Sequence, residues 1–173
     1  ALADHLGFDR FAVVGGSGGA PHALACGALL ADRVVRVGAL VTPAPPADDF
    51  DFFEGLADLN VKEFSAALQG PDAIEAFLQP YVDGIRADVD GVIDEMLTEL
   101  PEIDRERASQ PAHREIMRES WTESVRQGQR GWADDDLAFA KPWGFELEDV
   151  TVDTRVWQGE LDVLTPRPHG EYV

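Results

Sequence analysis

Two short apolar runs flank a helical stretch near the start of the chain. Residues 10–14 and 34–41 are rich in valine and bounded by turn residues, so we predict two buried strands. Residues 21–31 lie between them and predict a helix that starts at a proline, where the missing N–H does no harm. This order of strand, turn, helix and strand predicts a right-handed βαβ unit with parallel strands. Residues 1–7 predict the end of an earlier helix, with Gly7 as its stop signal.

The pattern changes to a helical period over about residues 48–140. Apolar residues recur there at intervals of three and four, with breaks at Gly70-Pro71 and at Pro101, so we predict several short helices. The predicted apolar faces of these helices are Phe52, Leu56 and Leu59; Ile74, Phe77, Leu78 and Tyr81; and Val89, Val92, Ile93, Met96 and Leu97.

Strand character returns after the helical stretch. Residues 154–158 predict a short strand, and a last helix is predicted over about residues 166–173. The chain is therefore predicted to be an α/β protein, in which parallel strands with flanking helices surround a helical insertion. Its three segments are residues 1–47, residues 48–145 and residues 146–173.

Composition and charge exclude several classes of partner. The chain has 173 residues, of which 45% are hydrophobic, as in ordinary globular proteins. Its net charge of −19 repels the phosphates of nucleic acids and of anionic lipids. No run of 18 or more apolar residues occurs in the sequence. We therefore expect neither a nucleic acid nor a membrane as a partner.

The acidic and thiol side chains do not follow the pattern of a metal site. The acidic clusters at residues 48–49 and 134–136 lack the alternating ligands and central glycine of a calcium loop, so we expect no metal and no other cofactor. Cys26 is the single cysteine and lies in a run of small helical residues, where we expect it to be buried and structural. A chain without an internal disulfide fits a reducing compartment, and we expect a cytoplasmic protein.

The turn after the first strand carries the sequence Gly15-Gly16-Ser17-Gly18-Gly19. A serine in the pattern G-x-S-x-G between a strand and a helix is presented to substrate, and a base can activate its hydroxyl. We expect the glycines at 15 and 19 to leave room where a Cβ would clash, and the Gly18 N–H to donate to a developing oxyanion. The alternative is a phosphate-binding turn with Ser17 as a bystander, but neither a dinucleotide fingerprint nor a Walker lysine is present. Ser17 is therefore predicted to be a nucleophile.

The residues around this turn resemble the nucleophile elbow of α/β-fold hydrolases. Residues 11–25 carry that resemblance, and residues 156–166 resemble the family's acid-bearing strand and loop, with its aromatic-x-Gly-x-x-Asp pattern. The family often carries a helical cap between these parts, which residues 48–140 resemble in position and character. The resemblance implies a partial α/β-hydrolase fold and acyl transfer to Ser17, with Asp162 as the catalytic acid. A serine in the elbow is unlike the haloalkane dehalogenases and epoxide hydrolases, which use an aspartate there.

Asp162 is also a candidate because of its position. It lies just beyond the carboxyl end of a predicted strand, where open α/β sheets place their active sites. In this fold the catalytic acid comes after the serine and before the histidine along the chain. The alternative is a loop aspartate that caps the next helix.

None of the four histidines fits the catalytic base. They are His5, His22, His113 and His169, and only His169 follows Asp162. The resemblance assigns His169 to the helix after the acid loop, and it places the base and the second oxyanion donor outside residues 1–173. We therefore expect this chain to be an internal segment of a hydrolase.

Two functions remain open. The first is a serine hydrolase of small neutral esters or amides that is incomplete as this chain. The second is a non-catalytic protein that binds a hydrophobic ligand or a complementing chain. The apolar edge of strand 10–14 predicts self-association. Trp121, Trp132 and Trp143 are candidates to line a pocket, although aromatic residues in helical caps are more often packing residues.

Overall fold

The computed structural model describes residues 2–173, which form two compact units. One unit comprises the residues up to Glu54 together with Lys141–Val173, and the other comprises Gly55–Ala140. The helices are α1 (Leu2–His5), α2 (Gly19–Leu29), α3 (Asp58–Gln69), α4 (Pro71–Glu99), α5 (Glu102–Ala108), α6 (Pro111–Ser124), α7 (Arg130–Phe139) and α8 (Arg167–Tyr172), with a 3-10 turn at Leu147–Asp149.

Three parallel strands make up the sheet of the first unit. They are β1 (Phe11–Gly16), β2 (Val34–Leu40) and β3 (Asp153–Trp157), in the order β1-β2-β3. The predicted βαβ unit is therefore confirmed. Strand β1 extends two residues past its predicted end, because Gly15 and Gly16 continue the ladder opposite Ala39 and Leu40.

Helix α2 covers one face of this sheet. Its small residues allow a close approach, and a Cβ added at Gly27 would lie 2.8 Å from Cγ2 of Val37. The core between helix and sheet is made of Ala20, Ala23, Leu24, Val34, Val37 and Ala39. On the other face Val14 is 74% exposed and Trp157 is 55% exposed, with Gly38 between their side chains. The sheet of this unit therefore presents an apolar face among the described residues.

The second unit contains only helices in its described structure. Helix α4 begins at Pro71 and ends before Pro101, as the breaks in the sequence predict. Two expectations are wrong in detail. Phe52 and Leu56 lie outside any helix, because α3 begins only at Asp58. Helix α4 is also longer than the short helices that the breaks predict. None of the described helices has an apolar stretch long enough to span a bilayer.

A kink divides α4 at Asp88. The backbone there leaves the helical region, with φ −156° and ψ 81°, while the Asp88 carboxylate accepts a hydrogen bond of 3.1 Å from the Gly91 N–H. This is the geometry of a helix N-cap placed inside a longer helix. A Cβ at Gly91 would lie 2.5 Å from Oδ2 of Asp88, the carboxylate oxygen that does not accept this bond. The two residues therefore allow the helix to restart after the kink.

Candidate active site

Ser17 lies in the turn between β1 and α2, and its side chain is exposed. Its φ is +50°, in the left-handed region that non-glycine residues rarely occupy. Such a conformation costs about 1–2 kcal/mol and persists only where the surroundings impose it. The Ser17 N–H donates to the Leu40 carbonyl at 2.9 Å, and the Ser17 carbonyl accepts from the Ala20 N–H at 2.9 Å. These two bonds fix the strained residue between the sheet and the helix.

The space around the turn explains why one of the two flanking residues must be glycine. A Cβ at Gly15 would lie 2.0 Å from the carbonyl oxygen of Gly19, which is part of the backbone and cannot move aside. A Cβ at Gly19 would meet nothing within 4 Å. The expectation that both positions exclude a side chain is therefore right for Gly15 and wrong for Gly19. The place that a side chain at position 15 would occupy is therefore taken by the backbone of Gly19.

Gly18 is the N-cap residue of α2, with φ −54° and ψ −18°. The N–H groups at the start of a helix have no acceptors within the helix, and the helix dipole makes this end positive. Gly18 follows Ser17 directly, so its N–H belongs to the same turn as the exposed hydroxyl.

The carboxyl ends of the three strands lie in one row of the sheet. Gly16 pairs with Leu40, and Leu40 pairs with Trp157. Val41, the residue after β2, has φ +46°, and its N–H donates to the Trp157 carbonyl at 2.7 Å. A β-branched residue with positive φ is a genuine outlier, and strain of this kind clusters at functional sites. Pro43 marks the end of this strand in the sequence, but nothing in the pattern points to strain at Val41.

Asp162 lies in the loop after β3, where hydrogen bonds from backbone and side-chain groups hold its carboxylate. Oδ1 accepts from the backbone N–H groups of Leu164 and Thr165, at 2.9 Å each, and Oδ2 accepts from Nε2 of Gln158 at 3.3 Å. The Gln158 amide also donates to the Thr165 carbonyl. The backbone partners precede α8, so Asp162 closes its own loop rather than capping the helix. Sequence reasoning missed Gln158, because no pattern distinguishes it from other strand-end residues.

His169 is fully buried in the first unit and serves as an acceptor. Its Nδ1 accepts from the Ala44 N–H at 3.1 Å, which leaves the proton of the neutral ring on Nε2. The rings of Phe50 and Phe52 meet it edge-on, with centroids 5.0 Å away. Burial lowers the pKa of His169, and the backbone of Phe52 partly offsets this effect. The ring ties α8 to the segment after β2, in agreement with a structural role.

The remaining histidines lie on three different helices. His5 is exposed on α1, His22 is exposed on α2, and His113 is half-buried on α6.

Of the three tryptophans considered above, two pack in the helical unit and one lines a cleft in the first unit. Trp121 and Trp132 pack against apolar clusters of the helical unit. Trp143 packs against the sheet core and also lines a cleft of about 550 Å³ in the first unit, together with Phe145 and Tyr172. Cys26 packs against the same core. Among residues 2–173, no cluster of three or more His, Cys, Asp or Glu side chains is arranged to hold a metal ion.

Comparison with known proteins agrees with this architecture. No protein-family model and no curated protein matches the chain. A solved hydrolase from Pseudomonas aeruginosa PA01 is similar over 99% of the chain, with a TM-score of 0.62 and 19% identity, and the match covers 54% of that protein.

Two further solved structures also match over 99% of the chain. MGS-M2, an α/β hydrolase enzyme from a Medee basin deep-sea metagenome library, has a TM-score of 0.47, 18% identity and 55% of its length covered. A meta-cleavage product hydrolase from Pseudomonas fluorescens IP01 has a TM-score of 0.45, 16% identity and 54% of its length covered. The chain thus spans about half the length of the hydrolases it matches. It has part of the α/β-hydrolase fold, as the sequence predicted.

Proposed function

We propose that this chain is the nucleophile-bearing part of a serine hydrolase that cleaves small neutral esters or amides. The observation that carries the proposal is the conformation of Ser17. An exposed serine with positive φ stands at a strand-to-helix turn, at the carboxyl end of a parallel sheet. This is the position and strain that a nucleophile on such a turn requires.

In the proposed reaction, Oγ of Ser17 attacks the carbonyl carbon of the substrate while a base removes the hydroxyl proton. The carbonyl oxygen becomes an oxyanion, and the N–H of Gly18 at the start of α2 donates to it. The intermediate then expels an alcohol or amine, which receives the proton and leaves an acyl group on Ser17. A water molecule, deprotonated by the same base, then attacks this acyl group. The bond between the acyl carbon and Oγ breaks, Ser17 receives the proton from the base, and the acid is released.

Asp162 is proposed to orient the base. Two parallel-strand spacings, about 10 Å, separate β1 from β3, and Ser17 and Asp162 both lie beyond the carboxyl ends of these strands. The hydrogen bonds from Leu164, Thr165 and Gln158 hold the carboxylate in one place. A fixed carboxylate is what a triad needs in order to fix the tautomer of its histidine.

The base is proposed to be a histidine outside the 173 residues. His169 is the only histidine that follows Asp162, and its ring is buried with Nδ1 engaged by Ala44. The Pseudomonas aeruginosa hydrolase that the chain resembles is nearly twice as long, which supports a larger parent protein.

The test is hydrolysis of p-nitrophenyl acetate by the chain with added imidazole as an external base. Imidazole cleaves this ester by itself, so the reference is the same imidazole concentration without the chain. We expect the chain to raise the rate above this reference and Ser17→Ala to abolish the excess, because the acceptor hydroxyl is lost. Ser120→Ala is the matched control, since Ser120 is an exposed serine on α6, and it is expected to keep the full excess rate.

Equal rates for the unmodified chain and Ser17→Ala at every imidazole concentration, with unchanged circular dichroism, would contradict the proposal. Loss of the excess in Ser120→Ala would contradict it as well, because the reacting serine would then lie in the helical unit.

A further inference from the structure

The helical unit contains a buried carboxyl group without a basic partner. Asp136 lies on α7 and is only 4% exposed, and its Oδ2 has no hydrogen-bond partner. Its side chain is hydrogen-bonded to Glu63, which lies on α3. The same helices contribute to an apolar cluster that consists of Ala66, Ala67, Ile74, Leu78, Ala133, Phe77, Trp132, Leu137 and Ala140. A charged carboxylate in such a place is costly unless it is paired.

The contacts of Glu63 indicate which carboxyl group holds the proton. Nε1 of Trp132 donates to Oε1 of Glu63 at 2.5 Å. Two carboxylates cannot hydrogen-bond to each other unless one of them is protonated, because an ionised carboxylate only accepts. Glu63 already accepts from the indole, so the arrangement fits an ionised Glu63 that also accepts the proton of a neutral Asp136.

We propose that Glu63 and Asp136 share one proton and thereby clamp α3 to α7, and that loss of this proton loosens the helical unit. The pair works as a pH-sensitive element of the fold. Both residues belong to the helical unit, whereas Ser17 belongs to the other unit, and the effect on stability does not depend on the proposed hydrolase activity.

The groups around the pair disfavour a second negative charge. Glu63 faces Asp136 from α3, and Asp135 acts on it from its own helix. Tyr81 on α4 is the neighbouring phenol, and burial, Glu95 and Glu63 all raise its pKa. Among the described residues, no lysine or arginine acts on Asp136.

Burial and the charge of Glu63 raise the pKa of Asp136 to about 9. Burial also raises the pKa of Glu63, against the opposing effect of the hydrogen bonds from Trp132 and Asp136. The two groups are close enough to titrate as a pair.

The direction of the pH effect follows from these pKa values. The folded protein keeps a proton on Asp136 that the unfolded chain loses near pH 3.8. Between that pH and about 9 the folded state therefore binds more protons, and stability falls as the pH rises. The unfolding equilibrium constant should increase by up to about tenfold for each pH unit in this window.

The experiment compares urea unfolding of the unmodified chain and of Asp136→Asn from pH 4 to pH 9. The amide has the same shape, donates to Glu63 and cannot lose a proton, so its variant should lack this dependence. At pH 4 we expect the two proteins to have similar urea midpoints. As the pH rises, the midpoint of the unmodified chain should fall further and further below that of Asp136→Asn. Asp134→Asn is the matched control on the exposed side of α7, and it should follow the unmodified chain.

A carbon-detected NMR titration of the unmodified chain gives a second readout that needs no variant. The Asp136 carboxyl signal should shift at about pH 9, well above the ordinary aspartate range. Titration of Asp136 near 3.8, or parallel pH curves for the unmodified chain and Asp136→Asn, would overturn the proposal.

Discussion

At the scale of single residues, the nucleophile turn depends on two positions. One must hold a side chain in a strained backbone conformation, and the other has no space for a side chain. Ser17 adopts a backbone conformation that costs energy, and Gly15 occupies a place where no side chain fits. The sequence predicted both, because the pattern G-x-S-x-G implies a turn of this tightness. It could not separate Gly15 from Gly19, since the pattern treats the two glycines alike and only the backbone path shows which one is crowded.

Replacing Gly15 by alanine should damage the turn. The new Cβ would lie 2.0 Å from the Gly19 carbonyl oxygen, so the strand end and the helix start must separate. We expect a loss of about 3 kcal/mol in the free energy of unfolding, at the upper end of overpacking costs. Chemical denaturation followed by circular dichroism measures it.

Gly19→Ala is the matched control for this substitution. It adds the same methyl group in open space at the first residue of α2, where alanine favours the helix by up to about 1 kcal/mol over glycine. Similar destabilisation by both substitutions would show that the described path of the turn is wrong.

At the scale of elements, the pattern of apolar runs predicted the strands and the β1–α2–β2 unit. The same pattern did not predict the lengths of the helices in the second unit. Pro71 and Pro101 marked real boundaries, but the break at Asp88 carries no proline or paired glycine signal. Phe52 and Leu56 were assigned to a helical face because their spacing fits one. The chain before Asp58 takes another path, since spacing alone does not nucleate a helix.

The packing of α2 on the sheet predicts the effect of a methyl group at Gly27. A Cβ there would lie 2.8 Å from Val37, 3.1 Å from Val150 and 3.3 Å from Val152, which are side-chain atoms that can shift by only a little. We expect Gly27→Ala to lower the free energy of unfolding by about 1–2 kcal/mol, because overpacking outweighs the gain in helix propensity.

Gly131→Ala provides the contrast, because Gly131 lies in α7 with nothing within 4 Å of its Cβ position. Here alanine should raise stability by about 0.5–1 kcal/mol. If Gly27→Ala stabilises the protein as much as Gly131→Ala does, α2 does not lie as close to β2 as described. Thermal unfolding of the two variants decides between these results.

At the scale of the whole molecule, the sequence predicted an α/β protein with a helical insertion and part of the α/β-hydrolase fold, and the fold is confirmed. It could not predict the contact between Glu63 and Asp136, because the two lie far apart along the chain and each matches an ordinary surface pattern. The sequence also could not predict the hydrogen bond from Gln158 to the Asp162 carboxylate, because only the folded loop brings the two side chains together.

The apolar sheet face predicts self-association of the chain. Val14 is 74% exposed on β1, which pairs with β2 alone among the described strands. An unpaired apolar strand recruits other chains, and a lysine on it opposes this. We expect Val14→Lys to weaken self-association by about tenfold, or about 1.4 kcal/mol. Sedimentation velocity over a range of concentrations measures the change.

Leu68→Lys serves as the comparison, because Leu68 is 60% exposed on α3, away from any strand. It should leave the association unchanged. A chain that stays monomeric at all concentrations, or an equal effect of both lysines, would rule out association through β1.

The identity of the reacting serine tests the account most directly. The chain would be treated with a fluorophosphonate in the presence of imidazole, digested and mapped by mass spectrometry. We predict one adduct, on Ser17, and none on the other four serines, Ser65, Ser109, Ser120 and Ser124. A folded chain with no adduct, or with adducts spread over several serines, would contradict the assignment of Ser17 as the nucleophile.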